Sequence, residues 1–553
     1  MLPNGNQPIF IMPDGTQQTK GKSAQSGNIR AAKAVAEAVK STLGPKGMDK
    51  MLVNGLGDVL ITNDGATILR EINVEHPAAK MVIAVSETQE AECYDGTTSA
   101  VVLAGALLGE SEDLIEKNVH PTVIAAGYRM ASQHALSVLK GVCQISDEDL
   151  GAVFGGDEHG TEYSLAINCA KTSLTGKFTD SSVFVKDRIA DIAGKAVAIL
   201  REEDTGEVNL DDLNIICASG GSVEDSYLMD GIVLEKEKAH IGMPTSIDNP
   251  KIALVSSAIQ VRTTEVDARI NITSPDQMQK FLDQEEKALK DIVNSFKKAG
   301  ATFVMCQKEI DDLALHYMAR EGIMAIAQCR KSQFASVSKS TGATIVDSVD
   351  DLLKTDLGNA GLVRERKIGE NIMVEIGGIE DLNKALTVVL RGSTSHIVEE
   401  VERAFDDAVG VVSLMGSNSG VVAGGGSTYV EIAASIREFA STVKGRRQLA
   451  VMAFADALEV LPTTIAENAG LDPVDVIMEL RAAHSISDNE SKYYGVNIDD
   501  EGTGVLASNM LEKGVVEPLK VVEQALLSAT ETAVMILRID DVIQMKQNGP
   551  PQM

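Results

Sequence analysis

The sequence predicts a multidomain protein of mixed α and α/β class, with an α/β block inserted between two α-rich flanks. Three observations carry that reading. The chain has 553 residues, more than one hydrophobic core of ~150 residues accommodates. Both flanks are rich in Ala, Val and Leu at helical spacing. Between them, short β-branched runs alternate with helical segments, the pattern of α/β folds.

Each element follows from local signals. Residues 28–43 place Ile29, Ala32, Val35, Ala36, Val39 and Leu43 on one helical face, and Gly44-Pro45 stops the helix. Lys50–Val53 and Asp58–Thr62 read as short strands around the turn dipeptide Asn54-Gly55, and the second runs into Asn63-Asp64-Gly65. Helices are predicted over 77–92, 98–117 and 121–140, with Asp95-Gly96-Thr97-Thr98 leading into the second. Turn and acidic residues at 146–164 suit a connection. In the central block, Lys251–Val255, Thr302–Cys306 and Ile323–Ala327 read as strands, and 275–299 and 309–321 as helices. The helix at 275–299 carries Ser274 as N-cap, Pro275 at its first position, Gln277 at its third and Gly300 past its end. Helices return at 395–412, 427–440, 447–468 and 520–535.

Composition excludes several functions. Lys plus Arg number 50 against 80 Asp plus Glu, a formal charge of −30, which repels phosphate backbones and anionic membranes. With 8 Tyr, 11 Phe and 0 Trp, stacking platforms for bases are scarce. The cysteines at 93, 143, 169, 217, 306 and 329 form no C-x-x-C pair, which argues against a disulfide framework or a zinc knuckle and suits a reducing compartment. The start, MLPNGNQPIFIMPDG, lacks a basic segment followed by an apolar one, and the apolar stretch Ala100–Leu108 is too short to span a bilayer. These features predict a soluble cytoplasmic protein without nucleic-acid or membrane partners.

Gly21-Lys22-Ser23 with Gly15 imitates a P-loop but has five intervening residues where four are needed. Asp95-Gly96-Thr97-Thr98-Ser99 is the better phosphate cradle, because a helix N-terminus presents backbone N–H groups, glycine allows close approach and an adjacent carboxylate holds Mg²⁺. An ordinary N-cap reads the same way, and Asp64 equally reads as a turn residue. Glu399, Glu400, Glu402, Asp406 and Asp407 form an acidic helix face, with Asp407 between Phe405 and an apolar run where a carboxylate could orient water. Ala423-Gly424-Gly425-Gly426-Ser427 is a loop, a packing contact or a second backbone wall.

Together these pieces resemble the group II chaperonins, the archaeal thermosome and eukaryotic cytosolic chaperonin family, and are closest to archaeal thermosome subunits. The resemblance spans nearly the whole chain and rests on AAKAVAEAVKSTLGPKGMDKML, TNDGATIL, DGTTSAVVLAG, HPTVIAAGYR, TEVDARINITSPDQ, ERAFDDAV, VVAGGG, ADALEVLP, ENAGLDPVDV and LRIDDVI. It implies a mostly α equatorial ATPase domain from residues 1–150 and 411–553. A small α/β intermediate domain would come from 151–222 and 379–410. An α/β apical domain would occupy 223–378, with a helical protrusion near 263–290 acting as a built-in lid, so that no separate co-chaperonin is needed. By motif, Leu43, Gly44 and Pro45 would line ATP, Asp95 would bind Mg²⁺, and Gly96, Thr97, Thr98 and Ser99 would hold phosphates. Asp64 and Asp407 resemble the pair that activates the attacking water, Lys177 the sensor of the γ-phosphate, and Gly425, Gly495 and Glu517 the residues around adenine and ribose.

Two departures stand out. Cys93-Tyr94 precedes Asp95 where the family usually has Gly directly before the carboxylate, and the added Cβ and ring predict a different backbone angle there. Phe178-Thr179-Asp180 follows Lys177 where small residues and Glu are usual. The resemblance implies an ATP-driven chaperone that captures non-native polypeptide and encloses it in a double ring of identical or paralogous subunits, whose acidic wall would resist permanent sticking. Tyr94 motivates an alternative, a structural ring subunit that binds nucleotide and hydrolyses it poorly. A soluble kinase or phosphatase using Asp95-Gly96-Thr97-Thr98 is a third possibility, for which no acceptor site is evident.

Overall fold

The computed structural model describes residues 17–53, 57, 59–154, 161–177, 183–201, 208–261, 275–369, 371–379, 386–415, 420–486, 489–498 and 504–544. The chain divides into two compact units, one formed by residues 1–180 and 419–553 and the other by 181–418. The first unit is therefore built from both ends of the sequence.

At its centre lies the helix Thr97–Glu116, whose Val101, Leu103, Ala104, Leu107 and Leu108 are buried. Helices Lys22–Lys40, Pro77–Cys93, Arg447–Leu458 and Leu519–Leu537 pack around it. With no Trp to fill space, the bundle closes by small residues. A Cβ on Gly105 would stand 2.4 Å from Ala36 Cβ, so these two helices cross nearly backbone to backbone. The large aromatic Tyr128 is buried edge-on to Phe454, and its hydroxyl donates to Leu107 O at 2.7 Å. Helices Pro77–Cys93 and Pro121–Val138 both begin on a His-Pro step in which the histidine accepts a first-turn N–H and proline takes the first helical position.

Several boundaries differ from the sequence expectation. The first helix starts at Lys22, six residues ahead of the apolar repeat, and ends at Lys40. The helix expected over 121–140 ends at Val138 and widens into a π-turn at Leu139–Cys143. The segment expected as one helix over 447–468 is two, Arg447–Leu458 and Val460–Asn468. Pro462 lacks the N–H that would reach Leu458 O, and its ring crowds that carbonyl. The 22-residue stretch Arg447–Asn468 is apolar enough to cross a bilayer. Its Val451, Phe454, Leu458 and Leu461 instead lie buried in the bundle.

Two small antiparallel sheets border the bundle. Gln17–Lys20 pairs with Asp541–Gln544, joining the ends of the described chain. Lys50–Val53 pairs with Val59–Thr62 in a hairpin with no third strand among the described residues. Its Met51, Val53, Val59 and Ile61 are 65%, 62%, 45% and 50% exposed.

The second unit holds two sheets. The six-stranded sheet runs Leu213–Ser219, Leu386–Gly392, Tyr227–Leu234, Asn371–Gly377, Leu362–Ile368 and Ser246–Asp248, parallel only in its first pair. The other places Ile345–Val346, Lys251–Val255, Phe303–Cys306 and Met324–Ile326 in parallel, with Gly358–Asn359 antiparallel on Lys251–Val255. All four residues of Phe303–Cys306 are buried, because Val304 and Cys306 face the helix Pro275–Ala299 through Val293 and Phe296, and Phe303 and Met305 face Phe334 and Val337. The helix Pro275–Ala299 has the bounds its sequence signals predict, ending on Gly300 at φ +89°. Its expected cap Ser274, and residues 263–274 of the expected protrusion, lie outside the described residues. The helix Ser395–Met415 packs on Val183–Leu200 and carries Asp407, half-buried.

The break between Arg447–Leu458 and Val460–Asn468 is clamped electrostatically. Glu459, 5% exposed, pairs with Arg437 Nη1 at 2.6 Å and with Arg481. Burial alone would raise its pKa, but hydrogen bonds from Arg481 and Arg437 outweigh it and hold the carboxyl below the usual range. Such a group stabilises above its unfolded pKa and loses that contribution as pH falls through the folded value. Glu459→Ala is expected to destabilise the first unit by about 2–3 kcal/mol in urea unfolding at pH 7, less than a fully enclosed pair because Arg481 reaches water. The difference from wild type should shrink in acid.

Candidate functional site

A cavity of about 470 Å³ opens in the first unit at the N-terminus of the central helix. Twelve of the fourteen residues singled out from the sequence line it: Leu43, Gly44, Pro45, Asp64, Asp95, Gly96, Thr97, Thr98, Ser99, Lys177, Gly425 and Glu517.

The corner before the helix sets the geometry. Gly96 is the N-cap at φ +77°, and a Cβ there would meet Val521 Cγ1 at 2.8 Å. Glycine is thus required by both angle and space. Because Gly96 has no side chain, the first-turn N–H groups receive no side-chain cap and remain available to an anion. The Gly96 N–H does bond to Asp95 Oδ1 at 2.8 Å. Tyr94 closes the preceding helix at φ 58°, ψ −5°, its N–H donating to Glu90 O. The expectation of a changed angle is corrected: Tyr94 keeps the left-handed conformation that glycine favours, and carries its Cβ and ring there.

Asp64 approaches from the hairpin. It caps Gly65–Glu71, Oδ2 accepting from Thr67 N at 2.7 Å, while Oδ1 accepts from Thr97 Oγ1 at 3.1 Å. Gly65 allows this closeness, since a Cβ would lie 2.4 Å from Thr98 Oγ1. On the next wall Gly44, at φ +87°, is held by Asn468 Nδ2, which donates to Lys40 O and Leu43 O at 3.0 and 2.8 Å. A Cβ on Gly176 would stand 2.7 Å from Gly44 O, so this glycine lets the segment bearing Lys177 pass close by. Opposite, Val421–Ala423 pairs with Val516–Pro518, bringing Gly425 and Glu517 to the cavity.

The two remaining residues stand elsewhere. Gly495 does not line the cavity; it packs behind Gly425, where a Cβ would meet Met510 Cγ at 2.7 Å and Gly425 O at 2.9 Å. Asp407 belongs to the second unit, and every residue lining the cavity belongs to the first. Phe178, Thr179 and Asp180 fall outside the described residues. Gly21, Lys22 and Ser23 open the helix Lys22–Lys40 and do not line the cavity. The lining also contains Asn497 and Lys513, joined by a 2.5 Å hydrogen bond. Sequence reasoning missed both: it took Gly495 rather than Asn497 from the run KYYGVNI, and Lys513 lies in a segment without a local motif.

Two carboxyls of the cavity are shifted chiefly by burial. Burial raises the Asp95 pKa, with Lys177 and the Gly96 N–H opposing and Asp64 adding to the rise. Glu517 is pushed up to about 8 by burial and by Asp95. A cation near Asp95 would relieve both. Among the described residues no group of three or more His, Cys, Asp or Glu forms a metal cage. A metal at Asp95 would therefore take most of its oxygens from water or a ligand, the pattern of Mg²⁺ with phosphates. The residues fit that ion. Cys93 is buried, its pKa pushed to about 12 chiefly by desolvation, so it offers no nucleophilic thiolate.

Comparison with known proteins finds relatives over nearly the whole chain. Residues 35–547 match the TCP-1/cpn60 chaperonin family. The chain is 49% identical over 543 residues to thermosome subunit beta of Archaeoglobus fulgidus, covering 98% of this chain and 95% of the relative. It is 47% identical over 549 residues to the thermosome subunit of Methanopyrus kandleri, covering 99% and 96%. It is 48% identical over 543 residues to thermosome subunit alpha of Methanothermobacter thermautotrophicus, covering 98% and 95%.

A carboxyl whose folded pKa lies above its unfolded value weakens folding as pH rises from the unfolded value to the folded one. For Glu517 that window runs from 4.5 to about 8. Glu517→Gln is therefore expected to make the unliganded protein more stable than wild type at pH 8 in urea unfolding. The advantage should close toward pH 4.5.

Proposed function

As the chain belongs to the TCP-1/cpn60 chaperonin family, we propose that it is an ATP-hydrolysing subunit of a group II chaperonin that encloses non-native polypeptide. The observation that supports hydrolysis best is the uncapped helix N-terminus at Gly96, flanked by Asp64, Asp95 and Lys177 in one cavity. Gly96, Thr97, Thr98 and Ser99 bind the phosphates through backbone N–H groups and hydroxyls, and Lys177 reaches the terminal one. Asp95 holds Mg²⁺, which when bound neutralises charge on the phosphate oxygens. Leu43, Gly44, Pro45 and Gly425 wall the nucleoside, with Glu517 toward the ribose and Gly495 supporting Gly425.

Asp64 and Asp407 orient the attacking water and accept its proton as it adds to the γ-phosphorus, releasing ADP and phosphate. The role of Asp407 rests on the likeness of its motif, ERAFDDAV. Chemistry shared between the two units would make hydrolysis depend on their approach and link it to shape. In this reading residues 1–150 and 411–553 are the equatorial domain, 151–222 and 379–410 the intermediate domain, and 223–378 the apical domain. Residues near 263–290 form its lid. The protein works in the cytoplasm in a back-to-back double ring of identical or paralogous subunits. A second reading, a structural subunit with slow turnover, is favoured by the Tyr94 ring beside Asp95. Wild-type turnover separates the two.

Ring assembly is supported by the hairpin Lys50–Val53 and Val59–Thr62, which has open edges and exposed apolar side chains. Met51→Glu combined with Ile61→Glu is expected to leave the subunit folded and shift it from a large ring to small species in sedimentation. For catalysis, Asp407→Ala is expected to lower Mg²⁺-ATP turnover by about 10²–10⁴-fold while assembly and ATP binding persist. Turnover at the wild-type rate in that variant would remove Asp407 from the mechanism.

A further inference from the structure

Gln89 is a buried side chain that grips the Tyr94-Asp95-Gly96 corner from behind. It lies on Pro77–Cys93 and is 0% exposed. Its Nε2 donates to Asp95 O at 2.9 Å and to Val521 O at 3.1 Å, while its Oε1 has no hydrogen-bond partner. Two carbonyl acceptors require a group with two N–H donors, which an amide supplies and a carboxylate does not. A buried amide oxygen without a partner is unfavourable, so shape and packing alone do not account for the residue.

A second unfavourable feature converges on the same corner. Tyr94 holds φ 58°, a conformation L-residues avoid. The other described non-glycine residues with positive φ are Asn118, Asn249 and Gln328, and asparagine tolerates this angle. Between Tyr94 and Gly96, the carbonyl of Asp95 is the point at which Gln89 grips the chain. The same amide ties the corner to the first turn of Leu519–Leu537, which directly follows the strand bearing Glu517.

We infer that Gln89 is a positioning residue for nucleotide binding: its amide fixes the Asp95 carbonyl and thereby holds the strained Tyr94-Asp95-Gly96 corner in its phosphate-binding shape. The inference rests on the nucleotide reading above. Without the brace, the corner relaxes toward an angle that Tyr94 prefers, displacing the Asp95 carboxylate and the helix N-terminus that follows it. Glycine at position 94 takes the left-handed angle unaided, so the brace matters less there.

The test is a double-mutant cycle on the intact assembly, with Mg²⁺-ATP affinity measured by calorimetric titration and thermal unfolding measured without ligand. Gln89→Leu is expected to weaken Mg²⁺-ATP binding roughly tenfold, as for one lost buried hydrogen bond. In a Tyr94→Gly background the same substitution should weaken binding less than about twofold, although the loss of unliganded stability is similar in both backgrounds. Gln89→Met, which keeps the length and removes both donors, replaces Gln89→Leu where that variant does not assemble. Equal loss of affinity in both backgrounds, or no loss in either, overturns the positioning role. A wild-type protein that binds no Mg²⁺-ATP overturns the nucleotide reading, and this inference with it.

Discussion

The helix Thr97–Glu116 has to be surrounded by other helices and yet stay open at its first turn. The first demand explains the small residues of the bundle, because Gly105 lets Ala36 approach and Gly65 lets the turn at Asp64 reach Thr98. The second explains Gly96, which caps the helix without a side chain and leaves its N–H groups facing the cavity. Packing and binding therefore meet in one element. Displacing any neighbouring helix alters the opening, since little empty space remains to absorb the movement.

The cavity's charge balance follows from that closeness. The cavity lining sets three carboxylates, Asp64, Asp95 and Glu517, against four lysines, Lys46, Lys171, Lys177 and Lys513, so a polyphosphate arriving there would meet both signs of charge. Burial, with a smaller push from a neighbouring carboxylate, raises the pKa values of Asp95 and Glu517. A divalent cation entering with the phosphates would lower both.

Much of this was legible locally. Proline at the first helical position and glycine past the end located the helix Pro275–Ala299 at its observed bounds. Asp95-Gly96-Thr97-Thr98 announced a helix start, and twelve of the residues drawn from family motifs line one cavity. What was illegible depended on partners far along the chain. The helix break near Glu459 was read through as continuous although Pro462 stood in the run; the clamp of Arg437 and Arg481 on Glu459 is tertiary and was not legible. Tyr94 was expected to change the corner, because the contact of Gln89 with Val521, 432 positions away, is tertiary. The placement of Gly495 behind Gly425 likewise needed the strand contacts around Met510.

Gln89 and Val521 are separated by 432 positions, and the strands Gln17–Lys20 and Asp541–Gln544 join segments farther apart still. During synthesis at ~5–20 residues per second, the early helices wait on the order of a minute for Leu519–Leu537 to leave the ribosome. Throughout that interval the apolar faces that will enclose the central helix have no final partner. The insertion that gives the chain its second unit thus lengthens the vulnerable period of its own birth. A protein of this design must be born needing the kind of shelter it is proposed to provide.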